Sequence, residues 1–168
     1  MLIKPLRVGI IGGGIGGLSL AIALRKGDAE VTLFESNKSL HGYGAGIQLS
    51  SNGVKVLDYL NLEQEIEKKS FILEKVLLKS ADNGSIISQI KLGDYVKERY
   101  SAYFYSIHRN DLIQILANRA DKIGVRFFLG AKAIINKGRN GFSKVIANKE
   151  EFDFDVIVGA DGVYSKTR

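Results

Sequence analysis

The order of apolar and polar residues predicts parallel strands joined by helices at the start of the chain. The run RVGII, Arg7–Ile11, is short and almost entirely apolar, which is typical of a parallel strand covered on both faces. Gly12–Gly17 follow as a turn, after which apolar residues recur at helical spacing up to Gly27. Glu30–Glu35, EVTLFE, then forms a second strand, so that strand, turn, helix and strand make one βαβ unit.

The middle of the chain departs from this alternation. Residues 36–51 are polar and glycine-rich and predict a long ordered loop, and residues 52–60 predict a short helix. Two β-forming runs flank Asn83-Gly84, which is typical of a hairpin with a type I′ turn, in which both central residues have positive φ. We therefore expect a small lobe at roughly residues 70–105.

The last third of the chain predicts one helix and more strands. Asn110 is the expected N-cap of a helix that Gly124 ends, with one apolar face formed by Leu112, Ile115, Leu116, Ala120 and Ile123. Three further elements follow: a strand at residues 125–129, an antiparallel ribbon at residues 131–135 and 142–147 around residues 138–141, and a buried strand at residues 155–158. The pattern predicts one α/β domain over residues 1–168, with a central parallel sheet.

Composition and charge exclude several classes of protein. The 168 residues are 45% hydrophobic and 25% charged, as in globular domains, and the absence of cysteine excludes disulfides, thiolate metal sites and a cysteine nucleophile. The two histidines, His41 and His108, do not have ligand-like spacing, so we expect no metal. The net charge of +6 is spread without a basic run, which argues against nucleic acid. The uncharged stretch Val8–Leu24 holds six glycines, so we expect no membrane span. The absence of cysteine fits a reducing cytoplasm, so we expect a cytoplasmic protein.

The glycine turn fits a dinucleotide-binding motif. Gly12, Gly14 and Gly17 occupy the three glycine positions of GxGxxG. The first glycine of this motif allows a tight turn, the second lets the backbone approach a pyrophosphate, and the third lets the helix pack closely on the strand. Glu35 lies 18 residues beyond Gly17 at the end of the second strand, near the spacing expected for a carboxylate that binds a ribose. The alternative is a structural turn with a solvated glutamate. The motif predicts a dinucleotide without saying which one.

Four motifs together resemble one family of flavoproteins. They are GGGIGGLSLAIAL with Glu35, YGAGIQLSSNGVKVLDYL, IHRNDL and DFDVIVGADGVYSKTR, in the family's order. The chain resembles the N-terminal part of the FAD-dependent aromatic hydroxylases, the group A flavoprotein monooxygenases of the para-hydroxybenzoate hydroxylase fold. The resemblance is clearest toward the salicylate hydroxylase-like and ubiquinone-pathway branches. It implies a Rossmann-like FAD-binding domain with a central parallel sheet, an antiparallel ribbon crossover and a small hairpin lobe.

The resemblance also implies a set of cofactor-binding residues and no catalytic side chain or metal, since FAD carries the chemistry. The implied contacts are Gly12, Gly13, Gly14, Ile15, Gly16 and Gly17 at the pyrophosphate, Glu35 at the adenosine ribose, Gly44, Gly46 and Ile47 beside the isoalloxazine ring, Arg109 on the ribityl-phosphate side, Ala133 near the adenine, and Asp161 and Gly162 toward FAD and the pyridine nucleotide. The turns after the first and last parallel strands should face one crevice, because both follow carboxyl ends of strands.

The implied activity is hydroxylation of a small aromatic substrate with NADH or NADPH and O₂. In the family, the DG motif is followed by a substrate-covering sheet and by a second flavin motif, Gly-Asp, that opens another helix. Neither follows Asp161-Gly162 in this sequence, so we expect the front portion of a larger enzyme, open to a partner or to self-association. Peripheral membrane association is compatible with this. Two alternatives remain: a non-catalytic dinucleotide-binding module completed by a partner, and half of an NAD-dependent dehydrogenase. Amine oxidases share the glycine turn but not IHRNDL or GADG, and disulfide reductases need a cysteine pair.

Overall fold

The computed structural model describes residues 4–41, 44–137 and 143–167. Within it the chain forms two compact units. The first unit consists of Met1–Gly42 and Ile113–Arg168, and the second is Tyr43–Leu112. The second unit includes the hairpin around which the sequence predicted a small lobe.

A four-stranded parallel sheet is the centre of the first unit. Its strands are β1 (Arg7–Ile11), β2 (Glu30–Glu35), β8 (Arg126–Leu129) and β12 (Val156–Gly159), in the order β12-β1-β2-β8. Helix α1 (Ile15–Lys26) joins β1 to β2 and packs against both strands. The βαβ unit predicted from the sequence is therefore confirmed, and so is the α/β fold with a central parallel sheet.

Successive residues of each strand serve opposite faces of this sheet. One face holds Val8, Ile10, Val31 and Leu33, which are at most 2% exposed. The other face is covered by a second sheet of order β11-β10-β9, whose strands are β9 (Ala133–Lys137), β10 (Ser143–Ala147) and β11 (Glu150–Phe154). The core between the two sheets is a cluster of Ile11, Phe34, Ala131, Val145, Ala147 and Phe154.

The ribbon predicted after β8 is a three-stranded antiparallel sheet. The pairing of β9 with β10 confirms the ribbon, but its turn, residues 138–141, lies outside the described residues. The third strand, β11, was not expected, because EEFDF alternates charged and aromatic residues over only five positions. Phe152 and Phe154 from this strand pack edge-on against Phe34, with ring centroids 5.3 and 6.0 Å away.

The second unit contains two small antiparallel sheets and short helices. One sheet has the order β3-β7-β4, from β3 (Gly46–Leu49), β7 (Tyr105–His108) and β4 (Ser70–Ile72), and the other is the hairpin of β5 (Lys75–Lys79) and β6 (Ile86–Lys91). Its helices are α2 (Ser51–Tyr59), α3 (Glu63–Lys69) and α4 (Gly93–Tyr100), and α5 (Arg109–Lys122) contains the boundary between the units. Residues 36–51, predicted as loop throughout, therefore include strand β3.

Three details of the sequence prediction are wrong. The hairpin around Asn83-Gly84 exists, but only Gly84 has positive φ, and the turn is closed by a bond from the Ser80 N–H to the Ser85 carbonyl, so it is not type I′. Helix α5 begins at Arg109, and the N–H of Asn110 donates to Nδ1 of His108 at 3.3 Å, so Asn110 is not the cap. The helix buries Ile113 and Ala117 beside Leu112, Leu116 and Ala120, whereas Ile115 and Ile123 are half-buried.

The last strand is less buried than the sequence predicted. Strand β12 pairs with β1 on one side only, and Val156 is 42% exposed. A position at the edge of the sheet explains the exposure, because an edge strand has one neighbour fewer. The described residues that follow it, up to Thr167, form no helix.

Candidate dinucleotide-binding site

The glycine turn between β1 and α1 is held by close backbone packing. Gly12 has φ +112°, and a side chain there would collide with the carbonyl of Ala160. A side chain at Gly17 would collide with the carbonyl of Gly12. These two glycines therefore allow the first turn of α1 to pack against the end of β1, as the motif requires.

The N-terminus of α1 is free to bind an anion. The N–H of Leu18 is the first to bond within the helix, to the Gly14 carbonyl at 2.9 Å, and no described residue accepts from the N–H groups of residues 15–17. A side chain at Gly14 or Gly16 would enter open space, and the first turn of the helix has no acidic residue. Free N–H groups and the positive end of the helix dipole make this an anion-binding position.

Glu35 at the end of β2 touches the glycine turn directly. Its Oε2 accepts the N–H of Gly13 at 2.8 Å. Its Oε1 accepts the backbone N–H and the side-chain amide of Asn37, each at 2.8 Å, and the hydroxyl of Ser36 at 3.1 Å. Because a carboxylate oxygen has two lone pairs, Oε2 can accept one more hydrogen bond from a ligand.

The corner that follows β12 lies beside the same turn. The N–H of Ala160 donates to the carbonyl of Ile11 at 2.7 Å, which places Asp161 next to the glycine turn. The crevice expected at the carboxyl ends of β1 and β12 is thus formed within the first unit. A cavity of about 280 Å³ at this corner is lined by Gly159, Ala160, Asp161, Gly162, Ser165 and Thr167.

The carboxylate of Asp161 is bonded to its own loop. It accepts the Ser165 hydroxyl at 2.6 Å, the Thr167 hydroxyl at 2.9 Å and the backbone N–H of Lys166 at 2.8 Å. Burial works to raise the pKa of Asp161, but these hydrogen bonds outweigh it and hold the pKa well below its usual range. Asp161 therefore stays ionised and fixes the loop, in which Gly162 has φ +78°.

Ala133 lies on a segment that is anchored beside Glu35. The N–H of Ala131 donates to the Glu35 carbonyl at 2.9 Å, and that of Gly130 to the Asn37 carbonyl at 2.8 Å. Ala133 follows as the first, half-buried residue of β9. The structure thus brings the segment that begins β9 to the carboxyl end of β2.

The remaining predicted site residues meet in the second unit. Gly44 has φ +116°, and a side chain there would reach to 4.0 Å from Cδ of Arg109. The N–H of Arg109 donates to the Ala45 carbonyl at 3.3 Å. Gly46 and Ile47 pair with His108 and Ile107 in the sheet. The glycine loop and the arginine of IHRNDL are therefore neighbours, although far apart in sequence.

Several residues that shape the site were not singled out from the sequence. Asn37 and Ser36 orient Glu35, Leu40 lies against Gly13, and Ser165 and Thr167 bind Asp161. The bonds of Ser36 and Asn37 to Glu35 and of Ser165 and Thr167 to Asp161 are local, between residues one to six positions apart. The contact of Leu40 with Gly13 joins residues that are distant in sequence.

Comparison with known proteins agrees with this geometry. A family model described as "FAD binding domain" matches residues 5–168. The chain belongs to this family of FAD-binding domains. It is 33% identical to the 3-amino-4-hydroxybenzoate 2-monooxygenase of Streptomyces cremeus, covering 100% of this chain and 42% of that protein. It is 27% identical to the 6-hydroxynicotinate 3-monooxygenase of Bordetella bronchiseptica, covering 98% and 43%.

Solved structures show the same FAD-binding fold. The tetrameric form of 2-methyl-3-hydroxypyridine-5-carboxylic acid oxygenase is 29% identical with a TM-score of 0.84, covering 99% of this chain and 42% of that one. The chain therefore spans about two fifths of the length of these relatives, and it resembles FAD-dependent aromatic monooxygenases in their N-terminal portion.

Neither a metal-binding cluster nor a membrane-spanning helix is present in the parts of the chain that the structure describes. No group of three or more His, Asp or Glu side chains there could hold a metal ion. No helix among those residues is long and apolar enough to cross a membrane.

Proposed function

We propose that the chain is the FAD-binding portion of a monooxygenase that hydroxylates a small aromatic substrate with NADH or NADPH and O₂. The observation that carries the proposal is the hydrogen bond between Glu35 and the glycine turn, with 2.8 Å between Oε2 of Glu35 and the backbone nitrogen of Gly13. This bond lies beside the free N-terminus of α1. The FAD-binding family and the printed names of the monooxygenase relatives support it.

The pyrophosphate of FAD would bind at the start of α1. The unpaired N–H groups of residues 15–17 would donate to its oxygens, and the open space at Gly14 and Gly16 would admit it. No neighbouring atom fills the space beside either glycine. The residues present therefore fit a phosphate group at this position.

The adenosine ribose would bind at Glu35. The vacant lone pair of Oε2 can accept a ribose hydroxyl while the other hydrogen bonds keep the carboxylate in place. A fixed carboxylate loses little side-chain entropy on binding, which favours affinity. Ala133, on the segment anchored beside Glu35, is proposed as a backbone contact of the adenine.

The other predicted residues keep their proposed roles by resemblance. Gly44, Gly46 and Ile47 would lie beside the isoalloxazine ring, and Arg109 would reach the ribityl-phosphate side. For Asp161 the hydrogen bonds favour an indirect role, because its carboxylate already serves Ser165, Lys166 and Thr167. An ionised carboxylate facing a pyrophosphate would also repel it. We propose that Asp161 shapes the corner and that backbone at Gly162 contacts the cofactor.

When bound, FAD would supply the redox chemistry: NADH or NADPH donates a hydride, which carries the two electrons, and with one proton and O₂ one oxygen atom is transferred to the ring while the other leaves as water. The chain's own residues would hold and orient FAD. The relatives are more than twice as long as the region that matches this chain, so the hydroxylation activity belongs to the proposal for the whole protein. We also propose that the protein is cytoplasmic.

The alternative of half an NAD-dependent dehydrogenase is disfavoured. It needs further βα units after β2, whereas the antiparallel sheets β3-β7-β4 and β5-β6 follow β2 here.

The test of the proposed function is titration of the purified chain with FAD, FMN and NADH, followed by calorimetry and by flavin fluorescence. We expect FAD to bind at least tenfold more tightly than FMN or NADH, because only FAD joins a flavin to the adenosine diphosphate that the site fits. Tighter binding of NADH than of FAD would overturn the proposal.

A further inference from the structure

The tip of the β5–β6 hairpin has a geometry that the proposed function does not use. Asn83 and Gly84 are exposed in the turn between the two strands. Gly84 has φ +71°, and a side chain there would meet no atom within 4 Å. The N–H of Ser85 donates to Oδ1 of Asn83, with 2.9 Å between the two atoms.

We propose that Asn83 is a site of self-modification by intramolecular deamidation. The deprotonated backbone nitrogen of Gly84 attacks Cγ of Asn83, the new C–N bond closes a five-membered succinimide, and the Cγ–Nδ2 bond breaks to release ammonia. Water then opens either carbonyl of the ring to give aspartate or isoaspartate. The net change consumes one water and releases one ammonia and one proton, which leaves one added negative charge on the chain, with no oxidant or reductant.

The hydrogen bond from Ser85 is the feature that favours this reaction. Negative charge develops on Oδ1 as the nitrogen adds to Cγ, and the Ser85 N–H already points at that atom. A donor placed in advance at a developing oxyanion lowers the barrier of such an addition. The missing side chain at Gly84 leaves the nucleophile unhindered, and exposure supplies the water and hydroxide that the reaction needs.

One contact opposes the reaction and limits its rate. The N–H of Gly84 donates to the Ser80 carbonyl at 3.1 Å and must leave it before attack. This opening is easy, because the tip belongs to a two-stranded ribbon whose turn is exposed.

The chain contains a matched comparison at Asn52-Gly53. This dipeptide lies in helix α2, where Oδ1 of Asn52 is bonded to the hydroxyl of Ser50 rather than to a following N–H. The helical backbone also prevents the rotation that closes a five-membered ring. Asn140-Gly141 lies outside the described residues and is separated from both sites by peptide mapping.

The test is to incubate the folded full chain at mildly alkaline pH and follow each site by proteolysis and mass spectrometry. We expect Asn83 to gain about 1 Da and to react roughly tenfold faster than Asn52. In denaturant this difference should disappear, because both dipeptides are then unstructured. Equal rates at the two sites in the folded chain would overturn the proposal.

Two variants at one position separate the role of the hydrogen bond from that of exposure. Ser85→Pro removes the N–H that faces Oδ1 and should slow modification of Asn83 severalfold, whereas Ser85→Ala keeps the N–H and should not. Ser85→Pro retains the carbonyl that Ser80 binds, so the hairpin contact is preserved. Equal rates in both variants would overturn the role assigned to Ser85, and the comparison with Asn52 stands if Ser85→Pro does not fold.

Discussion

The carboxylate of Glu35 accepts the backbone N–H of Gly13, with 2.8 Å between Oε2 and the nitrogen. This bond joins the end of β2 to the turn after β1, so one side chain both closes the glycine turn and faces the ligand position. Asn37 holds the other oxygen through two hydrogen bonds, which fixes the carboxylate plane. A binding group restrained in this way is already oriented before the ligand arrives.

The substitution Glu35→Gln should weaken FAD binding about tenfold while leaving FMN binding almost unchanged. The reason is that only FAD carries the adenosine ribose proposed to bind this carboxylate. The free energy of unfolding should also fall by about 1–3 kcal/mol, because the single amide oxygen of glutamine cannot accept from both Gly13 and Asn37, and its NH₂ group only donates. Calorimetry with both flavins and urea unfolding measure these effects.

Glu30→Gln is the matched control, since Glu30 is the first residue of the same strand and is exposed. It should change neither flavin affinity nor stability. An equal loss of FAD and FMN affinity in Glu35→Gln would show that the carboxylate acts by shaping the turn and not by binding ribose.

Alanine at Gly16 and at Gly17 should have opposite effects on stability. A methyl group at Gly17 meets the Gly12 carbonyl, so Gly17→Ala should cost about 1–3 kcal/mol in the free energy of unfolding. A methyl group at Gly16 enters open space within α1, so Gly16→Ala should gain up to about 1 kcal/mol from helix propensity. Denaturant unfolding of both variants measures this.

Gly16→Ala should nevertheless lose FAD affinity, because its methyl group would occupy the space proposed for the phosphates. Loss of affinity without loss of stability distinguishes a binding position from a packing position. If Gly16→Ala binds FAD as well as the parent chain does, the pyrophosphate does not lie against this turn.

The sequence predicted the parts of the fold that local patterns determine. The buried runs RVGII and EVTLFE, the glycine turn between them and the carboxylate 18 residues on specify the βαβ unit without other information. Gly124, with φ +82°, ends α5 as predicted, because glycine adopts this conformation at low cost. The proximity of Glu35 to Gly13 follows from parallel pairing of β1 with β2.

Particular packing contacts and side-chain hydrogen bonds determine what the sequence did not predict. Strand β11 is stable because Phe152 and Phe154 pack on Phe34, a contact about 120 residues away along the chain. The hairpin turn at Asn83-Gly84 is set by hydrogen bonds from Ser80 and Ser85, which override the preference of the dipeptide for type I′. The direction of the Asp161 carboxylate, toward its own loop, depends on Ser165 and Thr167.

Asp161→Asn should destabilise the chain at neutral pH but not in acid. The folded pKa of Asp161 is lowered, so its carboxylate contributes stability above the pKa of about 3.9 that an unfolded aspartate has, and this contribution is lost as the pH falls through the folded value. The difference in unfolding free energy between parent and variant should therefore shrink below about pH 4. Urea unfolding at a series of pH values measures it.

Asp82→Asn is the control for this series, because no described residue donates a hydrogen bond to its carboxylate. Its difference from the parent should stay small throughout. A difference at Asp161 that is constant with pH would show that the loop does not depend on the charged form.

Gly9→Ala should destabilise the chain, and Phe154→Leu should partly rescue it. A methyl group on Gly9 would lie 2.7 Å from Cδ2 of Phe154, whose ring is 4% exposed and packed on Phe34, so neither group can move away freely. We expect Gly9→Ala to cost about 1–3 kcal/mol. Leucine at 154 leaves room for the methyl group, so the double variant should be more stable than the sum of the single changes predicts, by about 1 kcal/mol. Denaturant unfolding of the two single variants and the double variant measures this.

Gly53→Ala, where a methyl group meets no atom within 4 Å, is the control and should not destabilise the chain. If the unfolding free energies of the two single variants simply add up to that of the double variant, Phe154 of β11 does not pack on Gly9 of β1.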